Sequence, residues 1–225
     1  MAPPFVEYFE VAFDVLYLIT VFTIGIYMLC QPTKTTEYIW YAVMTLILGF
    51  GDSFHLVPRI IGLCQHNLDQ WTKYLDYGKF VTSITMTIFY IIMYETLKYR
   101  YNIHELSVYD IIFYLFGASR LVSLFMPMNE WFTGKQNLTI HYIRNIVFTI
   151  QGITIIVFSC QQAILHNDES FKYVWLAITL SFVCYAIVVY LPQYKFLGAF
   201  MLPKTCAYIW LIVIFMLDIN HPHSD

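Results

Sequence analysis

The chain has 225 residues, of which 59% are hydrophobic and only 12% are charged. Soluble domains are about one quarter charged, so this composition indicates a protein whose solvent is lipid. The net charge of -3 includes no run of Lys or Arg, which removes the usual reason to expect a nucleic-acid partner. At about 20 apolar residues per span, the length accommodates seven membrane helices and no separate soluble domain.

Apolar segments separated by polar or Pro-containing breaks predict seven transmembrane helices in a single membrane domain, residues 1–225. In chain order the predicted spans are 11–30, 37–61, 75–97, 108–126, 141–164, 172–192 and 196–216. Because the connections are short, consecutive spans are expected to be neighbours in space. The sequence therefore predicts an all-α, polytopic seven-helix bundle with its two termini on opposite sides of the membrane.

Basic residues in the connections set the expected orientation. One side of the predicted bundle carries Lys34, Lys98, Arg100 and Lys172, and the other side carries Lys73, Lys135 and Lys195. Cytoplasmic loops carry the excess of basic residues in membrane proteins. The N-terminus is therefore expected outside and the C-terminus in the cytoplasm.

Charged residues inside the predicted spans share one depth. Odd-numbered spans run inward from the N-terminal side and even-numbered spans run back, with a rise of about 1.5 Å per residue. Six of the seven spans then place ionisable groups in the half of the membrane on the N-terminal side: Asp14, Asp52, His55, Arg59, Asp76, Lys79, Arg120, Arg144 and Lys204. A charge deep in the bilayer costs about 3 kcal/mol on the insertion scale, so this layer predicts a functional site.

Four polar stripes at helical spacing place these groups on shared faces. The stripes are Asp52 with His55 and Arg59; Asp76 with Lys79, Ser83 and Thr87; His141 with Arg144 or Asn145; and Lys204 with Tyr208. Inward-facing polar stripes on neighbouring helices predict a polar cavity. Pro58 and Pro203 are expected to kink their helices at the level of this cavity.

The charge balance of the layer predicts the ligand. Five Lys or Arg residues stand against Asp14, Asp52 and Asp76, which leaves an excess of two positive charges. An anionic lipid headgroup or a small anion would neutralise that excess, and membrane lipids are therefore the expected partners. The candidate binding residues are Arg59, Lys79, Arg120, Arg144, Asn145, Lys204 and Tyr208. The alternative is a closed set of structural ion pairs, Asp52 with Arg59 or Lys204 and Asp76 with Lys79.

The stretch from Gly49 to His55, Gly-Phe-Gly-Asp-Ser-Phe-His, is followed in the next span by Leu-Asp-Tyr-Gly from Leu75 to Gly78. Together they resemble the membrane hydrolase superfamily that includes the alkaline ceramidases and the progestin and adiponectin receptors. The resemblance implies a seven-helix core and a zinc-dependent lipid amidase, with His55 and Asp76 lining its site. Gly51 stands where that family has a serine.

The predicted seventh span also departs from this superfamily, because it carries Lys204 and Tyr208 in place of two zinc-binding histidines. No metal and no other cofactor is therefore expected. A lysine in the seventh span is also similar to the Schiff-base lysine of retinal-binding rhodopsins. The middle of span 3, residues 82–94, contains no acid to act as the counterion of such a lysine, which leaves Asp52 or Asp76 as the alternative counterion.

Three classes of function remain open on the sequence. The first is a lipid-modifying hydrolase or headgroup-binding protein, with Asp52 and His55 as candidate catalytic residues because a carboxylate and an imidazole together move protons near neutral pH. The resemblance adds Asp76 as the third candidate catalytic residue. The second is a transporter of a small anionic solute, which would need a path past Glu95 through the half of the bundle that is poor in charge. The third is a non-catalytic seven-helix receptor.

Overall fold

The computed structural model describes residues 4–32, 35–129, 131, 137–191 and 194–220. Within them, seven α-helices follow one another: α1 Pro4–Leu29, α2 Thr36–Cys64, α3 Thr72–Arg100, α4 Val108–Leu124, α5 Leu138–Leu165, α6 Val174–Tyr190 and α7 Met201–Asn220. Three short 3₁₀ helices, Leu68–Trp71, Pro127–Asn129 and Lys195–Phe200, lie between them. No strand occurs in this part of the chain, and the predicted all-α class is confirmed.

Five helical segments are long and apolar enough to cross a membrane: Phe5–Leu29, Thr36–Cys64, Leu68–Arg100, Leu138–Leu165 and Gly198–Ile219. The chain is therefore a helical membrane protein. Helices α4 and α6 have 17 residues each. At the helical rise this is about 25 Å, close to the lower limit for a span. The chain therefore crosses the membrane seven times only if α4 and α6 also span it.

The helices form a closed ring in sequence order. Each helix packs on the next one, and α7 packs back on α1. Contacts between α2 and α7 and between α3 and α5 cross the ring. The prediction that consecutive helices are neighbours is confirmed, and the polar faces of these helices can meet inside the ring.

The starts of α1 and α7 differ most from the prediction, and both affect the site. Helix α1 begins at Pro4, which brings Glu10 into the helix. Helix α7 begins at Met201, because Lys195–Phe200 is a 3₁₀ helix. Pro203 therefore lies in the first turn of α7, where its missing N–H breaks no helical hydrogen bond, and the kink expected there is wrong. Pro58 lies inside α2, as predicted.

Buried aromatic rings fill the middle of the bundle. We call this group the aromatic layer: Phe89, Tyr90, Tyr94, Phe113, Phe148, Phe158 and Phe182, all of them buried. The Tyr94 ring stacks on Phe113 with 4.3 Å between centroids and meets Phe158 at 4.8 Å. Along α3 the layer lies between the predicted site and the end of the helix at Arg100. It therefore separates the two ends of the bundle by packed apolar rings.

A buried ion cluster holds the bundle together at the end away from the predicted site. The Arg100 Nε donates to Asp168 Oδ2 at 2.6 Å, and its Nη1 and Nη2 donate to the Asp218 carboxylate at 2.8 and 3.0 Å. The hydroxyls of Tyr41 and Tyr101 donate to the same two carboxylates. This Arg100 cluster joins α2, α3, α7 and the connection between α5 and α6 by charge-assisted hydrogen bonds.

Replacing Arg100 by Met should destabilise the protein strongly, because it leaves two buried carboxylates without their shared cation. Loss of one partner of a buried ion pair costs about 3–5 kcal/mol of unfolding free energy. The measurement is SDS unfolding in mixed micelles, followed by tryptophan fluorescence. The matched control is Lys172→Met, since Lys172 is exposed and forms its ion pair with Glu169 on the surface. Equal stability of the two variants would contradict a structural role for the Arg100 cluster.

Gly78 allows α3 to pack directly on the backbone of α2. A Cβ at this position would lie 2.4 Å from the carbonyl oxygen of Phe54 and 2.5 Å from the Cα of His55. Backbone atoms cannot rotate away, so Gly78→Ala should separate the helices and cost about 1–3 kcal/mol, as overpacking usually does. Gly198→Ala is the control, because a Cβ there meets no atom within 4 Å. If the same unfolding assay finds Gly78→Ala as stable as Gly198→Ala, the close approach of α2 and α3 is not required.

Candidate functional site

A cavity of about 550 Å³ lies at the end of the bundle where α1, α3, α5 and α7 begin and α2 and α6 end. Nine of the ten predicted site residues line it: Asp52, His55, Arg59, Asp76, Lys79, Arg144, Asn145, Lys204 and Tyr208. Arg120 is buried behind the lining, with 2% of its surface exposed. The structure therefore brings the predicted residues together, while their roles in binding and catalysis stay predictions.

The side of the cavity formed by α1 and α2 is acidic. The Arg59 Nη2 donates to Glu10 Oε2 at 2.7 Å, and its Nε lies 3.8 Å from Asp14 Oδ2. The Tyr17 hydroxyl donates to Asp52 Oδ2 at 2.5 Å. We call Glu10, Asp14 and Asp52 the acidic wall. Arg59 pairs with Glu10 and Asp14 but not with Asp52, and among the described residues Asp14 Oδ2 is buried without a hydrogen-bond partner.

Helix α3 contributes a neutral ion pair. The Lys79 Nζ donates to Asp76 Oδ1 at 3.0 Å, which is the pairing that the sequence predicts. The sequence also predicts an ion pair between Asp52 and Arg59. This prediction is wrong, because Arg59 pairs with Glu10 on α1 instead. Since 57% of the Lys79 side chain is exposed, this pair lies at the mouth of the cavity.

The three candidate catalytic residues have separate partners. His55 Nδ1 lies 3.4 Å from the carbonyl oxygen of Leu75, while Asp52 accepts from Tyr17 and Asp76 accepts from Lys79. Among the described residues, no hydrogen bond joins any two of Asp52, His55 and Asp76. A general base normally contacts the group that orients it, so this arrangement gives no direct support to acid–base chemistry.

The side of the cavity formed by α4, α5 and α7 is cationic. We call Arg120, Arg144 and Lys204 the cationic wall, and no described carboxylate lies within salt-bridge distance of any of them. Aromatic rings hold them instead. The Arg120 guanidinium lies 3.2 Å from the Phe148 centroid, Arg144 lies 4.1 Å from the Trp131 centroid, and Lys204 Nζ lies 5.3 Å from the Tyr208 centroid. Cation–π contacts stabilise these charges without neutralising them.

Neutral side chains orient Arg144. Its Nη1 donates to Asn129 Oδ1 at 2.7 Å, and Asn129 Nδ2 donates to the carbonyl oxygens of Ser123 and Leu124 at the end of α4. On the same wall the Tyr185 hydroxyl donates to Asn145 Oδ1 at 2.6 Å. The Nε and Nη1 of Arg120 are buried and have no hydrogen-bond partner among the described residues. Arg144 and Lys204 line the cavity and can face a ligand directly, whereas Arg120 adds its charge from behind the lining.

Two helix N-termini also face the cavity. Helices α5 and α7 begin at Leu138 and Met201, and Asn137, Met201 and Leu202 are among the lining residues. The N-terminus of a helix carries a partial positive charge and free N–H groups. This adds to the positive potential of the cationic wall and favours an anion there.

Sequence reasoning missed several residues of the site. Glu10 lies one turn before Asp14, but the predicted span began after it, so the expected excess of two positive charges falls to one when Glu10 is included. Helical spacing back from Asp14 would have found it. Asn129 and Trp131 lie in a connection, and Tyr17 and Tyr185 are ordinary aromatic residues of membrane helices, so no sequence signal marked these four.

Fold and site define an α-helical membrane protein with a polar cavity at one end of its bundle. Comparisons with protein-family models, with curated proteins and with solved structures found no match to this chain. The resemblance to the membrane hydrolase superfamily therefore stays an expectation. Within the described ranges, no group of three His, Cys, Asp or Glu side chains is arranged to hold a metal ion.

Asn129→Ala should disturb both the end of α4 and the position of Arg144. It removes one donor each from the carbonyl groups of Ser123 and Leu124, which keep other donors, and it leaves Arg144 Nη1 without its acceptor. An unpaired buried group costs about 1–3 kcal/mol. SDS unfolding measures the loss, with Asn67→Ala as the control because the Asn67 side chain is exposed and contacts only Gln70. A variant as stable as the control would show that Arg144 does not need this support.

Proposed function

We propose that this protein crosses the membrane seven times and binds an anionic group, such as a phosphate on a membrane lipid headgroup or on a small solute, in the cavity. The observation that carries the proposal is the cationic wall. Arg120, Arg144 and Lys204 lie on three different helices, are held by aromatic rings, and have no carboxylate partner among the described residues.

The energetic cost of this wall supports a ligand. Arg120 and Arg144 are 2% and 9% exposed, and buried cations normally require a counter-charge. Cation–π contacts return about 0.5–2 kcal/mol each, which is less than the desolvation of a guanidinium. An anion that enters the cavity would supply the missing counter-charge and bidentate hydrogen bonds to Arg.

Packing at the centre of the bundle favours binding from one side over transport. The aromatic layer closes the space between the cavity and the Arg100 cluster. Glu95, the acid that a transport path would have to pass, lies exposed on the outside of α3. A lipid could enter the cavity sideways from its own leaflet, and this entry needs no channel through the aromatic layer.

The same proposal includes the orientation of the chain. The N-terminus outside and the C-terminus in the cytoplasm would open the cavity towards the outer leaflet. Lys34 and Lys135, two of the residues behind this expectation, lie outside the described residues. A cysteine-accessibility assay on intact cells, with Lys73→Cys as the reporter, tests the orientation.

Binding can be measured with the purified full-length chain in detergent. We expect dioctanoyl phosphatidic acid to bind, and dioctanoylglycerol, which lacks the phosphate, to bind much more weakly. Lys204→Met and Arg144→Gln should each weaken phosphatidic acid binding about tenfold or more, because a hydrogen bond to a charged group contributes about 1.5–3 kcal/mol. Lys172→Met removes a cation at the other end of the bundle and should leave the affinity unchanged.

Inorganic phosphate as a competitor separates the two sources of the anion. Displacement of the lipid by millimolar phosphate identifies a small-anion site, and a lack of displacement identifies a lipid site. Equal binding of phosphatidic acid and dioctanoylglycerol, or equal affinities in Lys204→Met, Arg144→Gln and the unchanged chain, would overturn the proposed function.

A further inference from the structure

The charged residues of the cavity form two separate walls, one cationic and one acidic. This arrangement indicates which kind of anionic ligand the cavity would bind. We propose that the ligand is a zwitterion that carries a phosphate group and a primary ammonium group, as the phosphoethanolamine headgroup of a phospholipid does. The phosphate faces the cationic wall and the ammonium faces the acidic wall. This inference rests on the proposed function and names the substrate class of the same site.

The acidic wall has more negative charge than its own residues neutralise. Arg59 donates to Glu10 at 2.7 Å, so Asp14 at 3.8 Å receives only a distant interaction from it. Asp14 is 8% exposed, and in the part of the chain that the structure describes its Oδ2 has no hydrogen-bond partner. Asp52 receives a hydrogen bond from the neutral Tyr17 hydroxyl. Two carboxylates of this wall therefore lack a directly bonded cation.

The two walls do not neutralise each other by direct contact. Asp52 and Lys204 are close enough to interact electrostatically, but they form no salt bridge, and Asp14 has none with Arg120, Arg144 or Lys204. A cavity of about 550 Å³ lies between them. A simple anion would satisfy the cationic wall and be repelled by Asp14 and Asp52, whereas a zwitterion satisfies both walls at once.

The chemistry of the acidic wall favours a primary ammonium over a quaternary one. Carboxylate oxygens such as Asp14 Oδ2 accept hydrogen bonds from N–H groups, and a trimethylammonium group has none. Quaternary ammonium ligands are usually held in cages of several aromatic rings. On this side of the lining α1 contributes the ring of Phe13 and α2 contributes the imidazole of His55, which are too few rings to form such a cage.

The test compares three lipids with identical acyl chains on the full-length protein: dioctanoyl phosphatidylethanolamine, phosphatidylcholine and phosphatidic acid. We expect phosphatidylethanolamine to bind about tenfold more tightly than phosphatidylcholine, as one charge-assisted hydrogen bond would produce. Asp14→Asn should reduce this preference to below about threefold. The same variant should bind phosphatidic acid at least as tightly as the unchanged chain, because it removes a repulsive charge.

Asp69→Asn is the matched control, since Asp69 is exposed on the same side of the bundle and does not line the cavity. Asp52→Asn is the second variant, so that a folding defect in Asp14→Asn does not end the test. Equal binding of phosphatidylethanolamine and phosphatidylcholine, or a preference that both Asn variants keep, would overturn the zwitterion while leaving phosphatidic acid binding and the proposed function intact. If none of the three lipids binds, the proposed function and this inference fail together.

Discussion

A charge inside a lipid-embedded bundle must face the interior and be balanced there, and the two ends of this protein meet that requirement in different ways. In the Arg100 cluster every charged group is bonded directly to a group of opposite charge, with two carboxylates and two tyrosine hydroxyls around one guanidinium, and one net negative charge is left. The cavity pairs its charges incompletely, because the cationic and acidic walls stay apart. Complete pairing is what helix packing requires, and incomplete pairing leaves charges for a ligand. This contrast is the reason why we propose the cavity as the functional site.

Depth and helical spacing were enough to predict most of the cavity from the sequence. Alternating helix directions place Asp52, Asp76 and Lys204 at one level whatever their neighbours are, so nine of the ten residues meet at the lining. Pairing was not predictable in the same way. Arg59 is long enough to reach several acids. It pairs with Glu10 because of the way α1 packs on α2, and the spacing of residues within α2 carries no information about that packing.

The residue at which a helix starts depends on local capping and hydrogen bonding. Hydropathy is averaged over many residues and does not detect these local effects. Hydropathy placed the first span after Glu10 and the last one before Met201, whereas α1 begins earlier and α7 later. The same averaging put Arg100, Asp168 and Asp218 outside the predicted spans, so the best-paired cluster of the molecule was not predicted. Both differences concern the few residues at each helix end, where polar groups gather and the apolar signal is weakest.

Aromatic rings hold the cationic wall in place, and this choice of partner has a consequence for binding. A carboxylate beside Arg120 or Arg144 would fix the guanidinium and also cancel its charge. The rings of Phe148 and Trp131 fix the position while the positive charge persists, so the wall is already arranged before any ligand arrives. A ligand then loses little free energy to ordering its site. The acidic wall presents carboxylate oxygens with few rings beside them, and for this reason the cation that we propose for it is a hydrogen-bonding one rather than a bulky one.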